Sequence, residues 1–464
     1  MGSYRRIKLL PALLLLLQMS LCVYADVTDS IFGILDKVVE ASSPVDDVIE
    51  GAWNNPSLIW VLDSFSLSSV EVQYDGGNSE RFGRLEASTY LKLGKLTLQG
   101  IAGYDNGALH NVTDCENADP EIVYPYWTFD EVGGNMNLER YEFGGAVCVE
   151  LDHGWNVGVS GHYLAGLYYR DRDPRTRNVS GILDIAVGGS RMVGKYLIGL
   201  SGSYRRYKQS CDIDFKSELG ASKIFHLTGL GTHYERFAGL GADSYYTGNQ
   251  WGASVSLLPD PAGVYVHVGG ETERLKHVLT DLNKLPMARI ERYAGNVEAG
   301  YRSEEWAVAA FCTAERRHGI ENIFGDAVSG QYPQIGSLLM HMVNWQSAGV
   351  RGAWSRELGR VSLSAWVDAG YTHWKVQHRE PRLTEGGRYW HARSSVKSMW
   401  RVSRDVLVMT EAGYGRRSSG SLNMALAAAG CDYSLKNRKY SVGLRAEWTY
   451  DDEHRINAAF SFKF

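Results

Sequence analysis

Short stretches in which apolar and polar residues alternate recur along most of the chain. The clearest example lies at the C-terminal end, where one face carries Ile456, Ala458, Phe460, Phe462 and Phe464. The residues between them are mostly polar, and residues 362–372, 390–402 and 441–450 repeat the pattern. A period of two is typical of a β-strand with one apolar and one wet face. The pattern therefore predicts an all-β protein.

The length and the flanks of these strands favour a membrane barrel over a soluble sandwich. Each alternating stretch covers about ten residues, enough for a tilted strand to cross a bilayer. Aromatic residues recur near the strand ends, as at Tyr371, Trp390 and Trp448, where the interfaces of a bilayer would lie. Charged residues are frequent on the polar faces, which suits a water-filled or packed lumen. We therefore predict a transmembrane antiparallel β-barrel with its apolar face outward.

The connections between strands predict their number and orientation. Short turns are expected at 94–95, 152–154, 193–194, 260–263, 303–304, 358–359, 404–405 and 436–437. Long connections are expected at 106–140, 209–248, 276–287 and 319–344. Short turns are typical of the periplasmic side, so both ends of the barrel are predicted to lie there. Counting gives about 18 strands, with 16 and 14 as alternatives, since the Ala- and Gly-rich stretch at 418–435 could be a loop.

The first 62 residues lack the strand-like alternation of the rest of the chain. Basic residues precede an apolar run at 9–17, and Val23-Tyr24-Ala25 offers small residues for cleavage, so residues 1–25 are predicted to be a cleaved signal peptide. In residues 26–62, apolar side chains recur at helical spacing, among them Phe32, Leu35 and Val39. This segment is predicted to be either a plug in the lumen or a periplasmic cap that docks a partner. Residues 63–464 are predicted to form the barrel.

The two ends of the chain carry a family resemblance. Phe460, Phe462 and Phe464 resemble the closing strand of bacterial outer-membrane β-barrels, where such a strand is an assembly signal. With a Trp-Asn-Asn-Pro motif at 53–56, the chain resembles an uncharacterised outer-membrane β-barrel family of Bacteroidota. The Asn-Pro pair is more weakly similar to the Asn-Pro-Ala motif of fatty-acid-channel-type barrels, although Ser57 replaces Ala. The resemblance implies an outer-membrane location, with lipid, lipopolysaccharide and the barrel assembly machinery as partners, and no established activity.

Composition and charge exclude several other classes. A net charge of −5 gives no indication of nucleic-acid binding, which is typical of basic proteins. Five cysteines follow the signal peptide, so a disulfide framework is not expected, and at most Cys115 and Cys211 would pair. His373, His378 and His391 surround one predicted outer loop, but their spacing matches no metal or acid–base motif. No catalytic, metal or cofactor site is predicted, and the protein is not expected to be an enzyme.

Two long outer loops carry candidate functional residues. Aromatic side chains cluster with carboxylates in the first, at Tyr124, Tyr126, Trp127 and Phe129. Such a cluster could bind a carbohydrate, a cationic ligand or a protein partner, or it could fold inward and pack the loop on the barrel mouth. The loop at 209–248 is longer than most structureless connections and is predicted to control access.

Alternation also assigns charged residues to the lumen. The candidate lining residues are Glu298, Arg351, Arg393, Lys397, Arg401, Arg445 and Glu447. They could form rigidifying cross-strand pairs or line a weakly selective pore. Arg393, Lys397 and Arg401 form a one-signed stripe that could favour anions. We predict a non-enzymatic barrel accessory to the uptake or passage of small solutes, within a nutrient-uptake complex. The alternative is a structural barrel with a closed lumen that anchors surface or periplasmic partners.

Overall fold

The structure is a computed structural model. It describes residues 66–68, 80–112, 115–216, 223–237, 239, 243–260, 262–303, 305–403, 405–418, 423–435, 440–451 and 454–463. The predicted signal peptide (1–25), the leading segment (26–62) and Phe464 lie outside the described residues.

Within these residues the chain is almost entirely β-strand. The strands are β1 (Ser66–Ser68), β2 (Glu80–Leu93), β3 (Leu96–Val112), β4 (Thr128–Asp130), β5 (Gly134–Leu151), β6 (Trp155–Tyr169), β7 (Arg175–Val193), β8 (Tyr196–Asp214), β9 (Ile224–Gly229), β10 (Thr232–His233), β11 (Ser244–Pro259), β12 (Gly263–Leu279), β13 (Leu285–Arg302), β14 (Trp306–Phe324), β15 (Gln334–Leu358), β16 (Val361–His378), β17 (Leu383–Arg401), β18 (Val406–Arg417), β19 (Asn423–Leu435), β20 (Tyr440–Asp451) and β21 (His454–Lys463). One short helix, α1, covers Pro120–Val123, and 3-10 turns lie at Asp152–Gly154 and Glu235–Phe237.

In the part of the chain that is described, 18 strands form one antiparallel sheet that closes on itself. Neighbours along the chain pair as hairpins, and β1 completes the ring because it pairs with β2 on one side and β21 on the other. The strand number predicted from the connections is therefore confirmed. From Asn423 onward the Ala- and Gly-rich stretch forms a strand, β19, rather than a loop.

Side chains of the wall alternate between the outside and the lumen. Outward positions expose large apolar side chains, among them Leu200, Val255, Val350 and Leu444, which are 51 to 62% exposed. A bilayer core can accept such a surface only if all backbone groups are paired internally, and a closed barrel meets that condition. The protein is therefore an outer-membrane β-barrel with an apolar outer band. No helix in the described residues is long and apolar enough to span a membrane.

Two rings of outward aromatic residues border the apolar band. The lower ring, near the short turns, contains Trp155, Tyr301, Trp306, Trp354 and Trp400. The upper ring contains Tyr141, Tyr163, Trp251, Tyr293, Tyr371 and Trp390. On single strands the rings are about eight to ten residues apart, which gives a band of about 20–25 Å for tilted strands.

The wall continues well beyond the upper ring. β7, β8 and β14 have 19 residues each, and β15 has 25, whereas the sequence predicts about ten per strand. The additional residues lie on the long-loop side of the upper ring. In β11, for example, they are residues 244–250, which precede Trp251. Apolar alternation reports only the stretch in contact with lipid, so it underestimates the strands. The extension encloses a compartment beyond the upper ring, which we term the upper lumen.

Tight turns connect successive strands at the opposite end of the barrel. Gly94 and Gly194 adopt φ values of 59° and 62°, which only glycine adopts without strain. Each begins a two-residue connection, Gly94-Lys95 between β2 and β3 and Gly194-Lys195 between β7 and β8. These turns lie within one residue of the positions predicted from sequence.

Candidate functional site in the upper lumen

Two of the long connections fold back into the barrel and pair with each other. The first joins β3 to β5 and is described from Cys115 onward. The second joins β8 to β11. β4 of the first loop pairs antiparallel with β9 of the second, with Phe129 opposite Phe225, and β10 extends the sheet beyond β9. We term this three-stranded unit the lumenal sheet.

Wall side chains hold the first loop from several sides. Tyr246 on β11 donates its hydroxyl hydrogen to the carbonyl oxygen of Tyr126 at 2.8 Å. Arg317 on β14 donates to the carbonyl oxygens of Glu121 and Tyr124 at 2.8 and 3.2 Å. Because β11 and β14 are separated by two strands of the wall, these bonds hold the loop against several strands rather than along one.

The second loop is tied to the neighbouring wall strands. The Tyr234 hydroxyl donates to the carbonyl oxygen of Met287 on β13 at 3.2 Å. Arg236 donates to the carbonyl oxygen of Phe324 at the end of β14 at 2.7 Å. Backbone acceptors of the wall thus position the loop, so these bonds depend on the fold more than on the wall side chains.

One apolar cluster packs both loops against the wall. The loops contribute Val123, Tyr124, Tyr126, Trp127 and Phe237, and the wall contributes Tyr207, Tyr246, Leu275, Leu279, Leu285, Met287, Ala288, Ile290 and Phe324. Each large buried side chain stabilises the docked state by about 1.5–3 kcal/mol relative to exposure. The cluster therefore contributes to the stability of the docked state.

The aromatic residues predicted as ligand contacts belong to this cluster or lie beside it. Tyr124, Tyr126 and Trp127 are only 2%, 0% and 6% exposed. Phe129 is half-buried against Phe225, with ring centroids 6.1 Å apart. In this conformation Tyr124, Tyr126 and Trp127 offer no surface to a ligand, and they pack the loop inward instead.

A buried ionic cluster anchors the first loop on the wall. The guanidinium of Arg170, directly after β6, donates to Glu116 at 2.6 Å and to Asp130 at 3.0 Å, and these side chains are at most 1% exposed. The Thr176 hydroxyl donates to the second carboxylate oxygen of Glu116, and the Asn178 amide donates to its carbonyl oxygen. We term these residues the Arg170 cluster. One cation here faces two carboxyl groups in a buried site.

Histidines also lie between the loops and the wall. His226 on β9 packs beside His277 on β12, with ring centroids 5.5 Å apart, and Tyr246 stacks on His277 at 4.6 Å. The Tyr124 hydroxyl lies 3.3 Å from Nε2 of His341. Among the described residues, no group of three or more His, Cys, Asp or Glu side chains is arranged to hold a metal ion.

The histidines that the sequence placed around one loop are not brought together. His378 lies in the upper lumen, 3.8 Å from Glu321. His391 lies deeper in the barrel and contacts Asp368 at 3.0 Å. They occupy different levels because β16 and β17 pair over their full lengths, with His391 opposite Gly370.

Cross-strand ion pairs line the inner wall. The pairs are Arg140–Asp105, His162–Glu142, Arg205–Asp184, Arg292–Glu271, Arg292–Glu315, Arg351–Glu298 and Arg393–Asp368. These pairs link strands at several places between β3 and β17, and each brings a basic side chain to an acidic one. The lumen wall is therefore polar with locally balanced charge.

Several predicted lining residues take part in these pairs. Glu298 and Arg351 are 2.9 Å apart, and Arg393 contacts Asp368 at 3.1 Å. The side chains of Arg445 and Glu447 lie outside the described part, as do those of Phe460 and Phe462 on β21.

The predicted cationic stripe is less one-signed than its sequence indicates. Arg393 lies opposite Asp368, and Lys397 lies opposite Glu411 on β18. Arg401 is exposed at the short-turn end. The local charge depends on the residues opposite on neighbouring strands, and the alternation within one strand does not show which residues these are.

The Arg170 cluster is absent from the sequence prediction. Glu116 and Asp130 flank the aromatic run of the first loop, which is the one signal that the sequence offered. Nothing in the sequence relates them to Arg170, which follows a different strand.

The comparisons with known proteins place the chain in a family. Residues 72–464 match the model of a family described as "Family of unknown function (DUF6850)". The chain belongs to this family. The DUF6850 match covers the wall from β2 to β21 and both folded-in loops. The prediction of an uncharacterised family is confirmed, and an origin in Bacteroidota stays a prediction.

No curated protein matches this DUF6850 chain. Similar solved structures include the siderophore receptor PiuA from Acinetobacter baumannii, with 8% identity, coverage of 87% of this chain and 82% of that chain, and a TM-score of 0.40. The copper transporter OprC has 8% identity, coverage of 84% and 70%, and a TM-score of 0.42. The ferric-catecholate import receptor Fiu from E. coli K12 has 8% identity, coverage of 87% and 82%, and a TM-score of 0.38.

Proposed function

We propose that the protein is a non-enzymatic barrel that passes small solutes across the outer membrane, accessory to a nutrient-uptake system, with the folded-in loops as its gate. The observation that carries this proposal is the docking of two long loops inside a lumen whose wall is charged and polar. A wall of balanced charge suits water and small polar solutes, with weak ion preference. With the long-loop side outward, an entering solute meets the lumenal sheet first.

The way in which the loops are held supports a movable gate. No disulfide joins the cysteines of the described residues, Cys115, Cys148, Cys211, Cys312 and Cys431. The loops are held by apolar packing, hydrogen bonds and the Arg170 cluster. The wall strands pair with one another, so the loops can leave the wall without breaking the barrel.

Conductance in planar bilayers tests the proposal. Replacing residues 224–239 with a short Gly-Ser linker removes β9 and β10 and leaves β8 and β11 intact. We expect larger and more frequent conductance steps than in the native protein, because the lumenal sheet is lost. The matched control replaces the exposed residues 327–331 between β14 and β15, and its conductance should equal the native value.

A barrel that stays silent with and without the lumenal sheet would contradict the gate. That outcome favours the competing function, a structural or interaction barrel that anchors surface or periplasmic partners. Proteins that co-purify with the barrel would then be the next measurement.

A further inference from the structure

The Arg170 cluster has an unequal charge count. Glu116 and Asp130 both face the single guanidinium of Arg170, and the three side chains are at most 1% exposed. If both carboxyl groups were ionised, the cluster would hold a net negative charge in a buried site, where an uncompensated charge is strongly disfavoured. Two carboxyl groups that share such a site normally retain one proton between them.

We propose that docking of the first loop takes up one proton, shared by Glu116 and Asp130, and that the gate therefore loosens as the pH rises. The inference rests on the proposed role of the loops as a gate and names how that gate is regulated. In the released loop, both carboxyl groups are in water and the proton is lost.

The surroundings assign the shared proton to Glu116. Burial raises the pKa of Glu116 to about 8, and the adjacent Asp130 carboxyl adds to this, while Arg170 opposes it. Burial alone would raise the pKa of Asp130 too, but hydrogen bonds from Glu116 and from the N–H groups of Gly133 and Val132 lower it below its usual value. Glu116 therefore keeps the proton and donates a hydrogen bond to the ionised carboxylate of Asp130.

Among the residues that the structure describes, the other titratable groups facing the cluster are two thiols. Cys211 on β8 interacts electrostatically with Glu116 and with Cys115 of the same loop. β7 contributes only the uncharged Thr176 and Asn178. Arg170 is thus the cation of this site that sets the balance.

The direction of the pH dependence follows from linkage. A carboxyl group with an ordinary pKa of 4.5 in the released loop and about 8 in the docked loop keeps its proton in both states below pH 4.5. Between these values only the docked loop is protonated, so docking weakens about tenfold per pH unit. Above pH 8 both states are ionised, and docking stays at its weakest level.

Alkylation of Cys211 measures docking directly. Cys211 is 0% exposed, packs with Ile224 of β9 and forms a hydrogen bond with Thr128 of the first loop, so a thiol reagent reaches it only when the loops leave the wall. The experiment uses the folded full chain in detergent, with the other cysteines replaced by Ala, and a maleimide at pH 5 to 9. The alkylation rate is divided by the rate of the Glu116→Gln variant in the same background. Both rates depend on ionisation of the Cys211 thiol, so the ratio cancels that dependence and leaves the effect of the Glu116 proton.

We expect this ratio to rise about tenfold per pH unit up to about pH 8 and then to level off. In Asp130→Asn the ratio should no longer depend on pH, because a single carboxyl group then faces Arg170 and needs no proton. A ratio that does not change with pH, a full slope in Asp130→Asn, or a loop released in Glu116→Gln at pH 6 would each overturn the proposal. Labelling measures docking, whereas the bilayer experiment measures conductance. If the ratio does not change with pH but conductance still depends on the loops, the proposal of proton uptake is wrong and the proposal of a gate stands.

Discussion

At the scale of single residues, Arg170 has the largest consequence for the site. Its guanidinium is the cation between two buried carboxyl groups that come from opposite ends of the first loop, at Glu116 and Asp130. A buried ion pair adds little net stability compared with an apolar replacement, but removing one partner is costly because the other charge stays buried. Arg170 therefore decides where the loop docks.

Replacing Arg170 with Ala should release the first loop from the wall. The unpaired carboxyl groups cost the docked state about 3–5 kcal/mol, whereas the barrel wall does not depend on them. Limited proteolysis should cut the loop, and the heat-modifiable gel band of the folded barrel should remain. Arg175→Ala is the control, since this side chain is 40% exposed and pairs with Asp173. Equal protease resistance in the two variants would show that Arg170 is not the anchor.

At the scale of elements, the approach of neighbouring strands limits side-chain size at particular positions of the wall. Gly349 on β15 is one of them: an added Cβ would meet the carbonyl oxygen of Ala369 and would lie 2.8 Å from the Phe311 ring. Gly336 on the same strand has no atom within 4 Å of the corresponding position. The two glycines thus differ in packing while sharing an element.

Gly349→Ala should therefore destabilise the barrel, by about 1–3 kcal/mol, as is usual for overpacking. The temperature at which the heat-modifiable band is lost should fall in this variant. Gly336→Ala should leave that temperature unchanged. Equal melting of both variants would mean that β15 and β16 can separate slightly at no cost.

At the scale of the whole molecule, the rings of aromatic residues and the alternation of turns and long loops define a direction across the membrane. Outer-membrane barrels keep short turns in the periplasm, so the upper lumen and the lumenal sheet should lie outside the cell. The gate proposal depends on that orientation, because a solute arriving from outside must meet the loops before it meets the wall charges.

Thiol labelling in intact cells tests the orientation. In a cysteine-free background, Val132→Cys lies at a position that is 60% exposed on the long-loop side. Asp260→Cys lies in the exposed turn after β11. A membrane-impermeant maleimide should modify the first in intact cells and the second only after the cells are opened. The reverse result would invert the topology.

The sequence alone determined the barrel. A strand that faces lipid on one side and the lumen on the other must alternate, and this local period of two survives in the sequence of each strand. Strand number and turn positions follow from the same signal, because each hairpin partner is also the neighbour along the chain. Strand length was underestimated because, beyond the lipid, the outward face no longer has to be apolar.

Only the tertiary structure decided the fate of the loops. Arg170 and Glu116 are 54 positions apart, and Tyr124 and His341 are 217 positions apart, so no local pattern relates them. The aromatic run at Tyr124 to Phe129 is equally compatible with ligand binding and with inward packing, since both require apolar surface. The choice depends on whether the opposite wall offers a matching cavity and a cation, and that surface exists only once the barrel has closed.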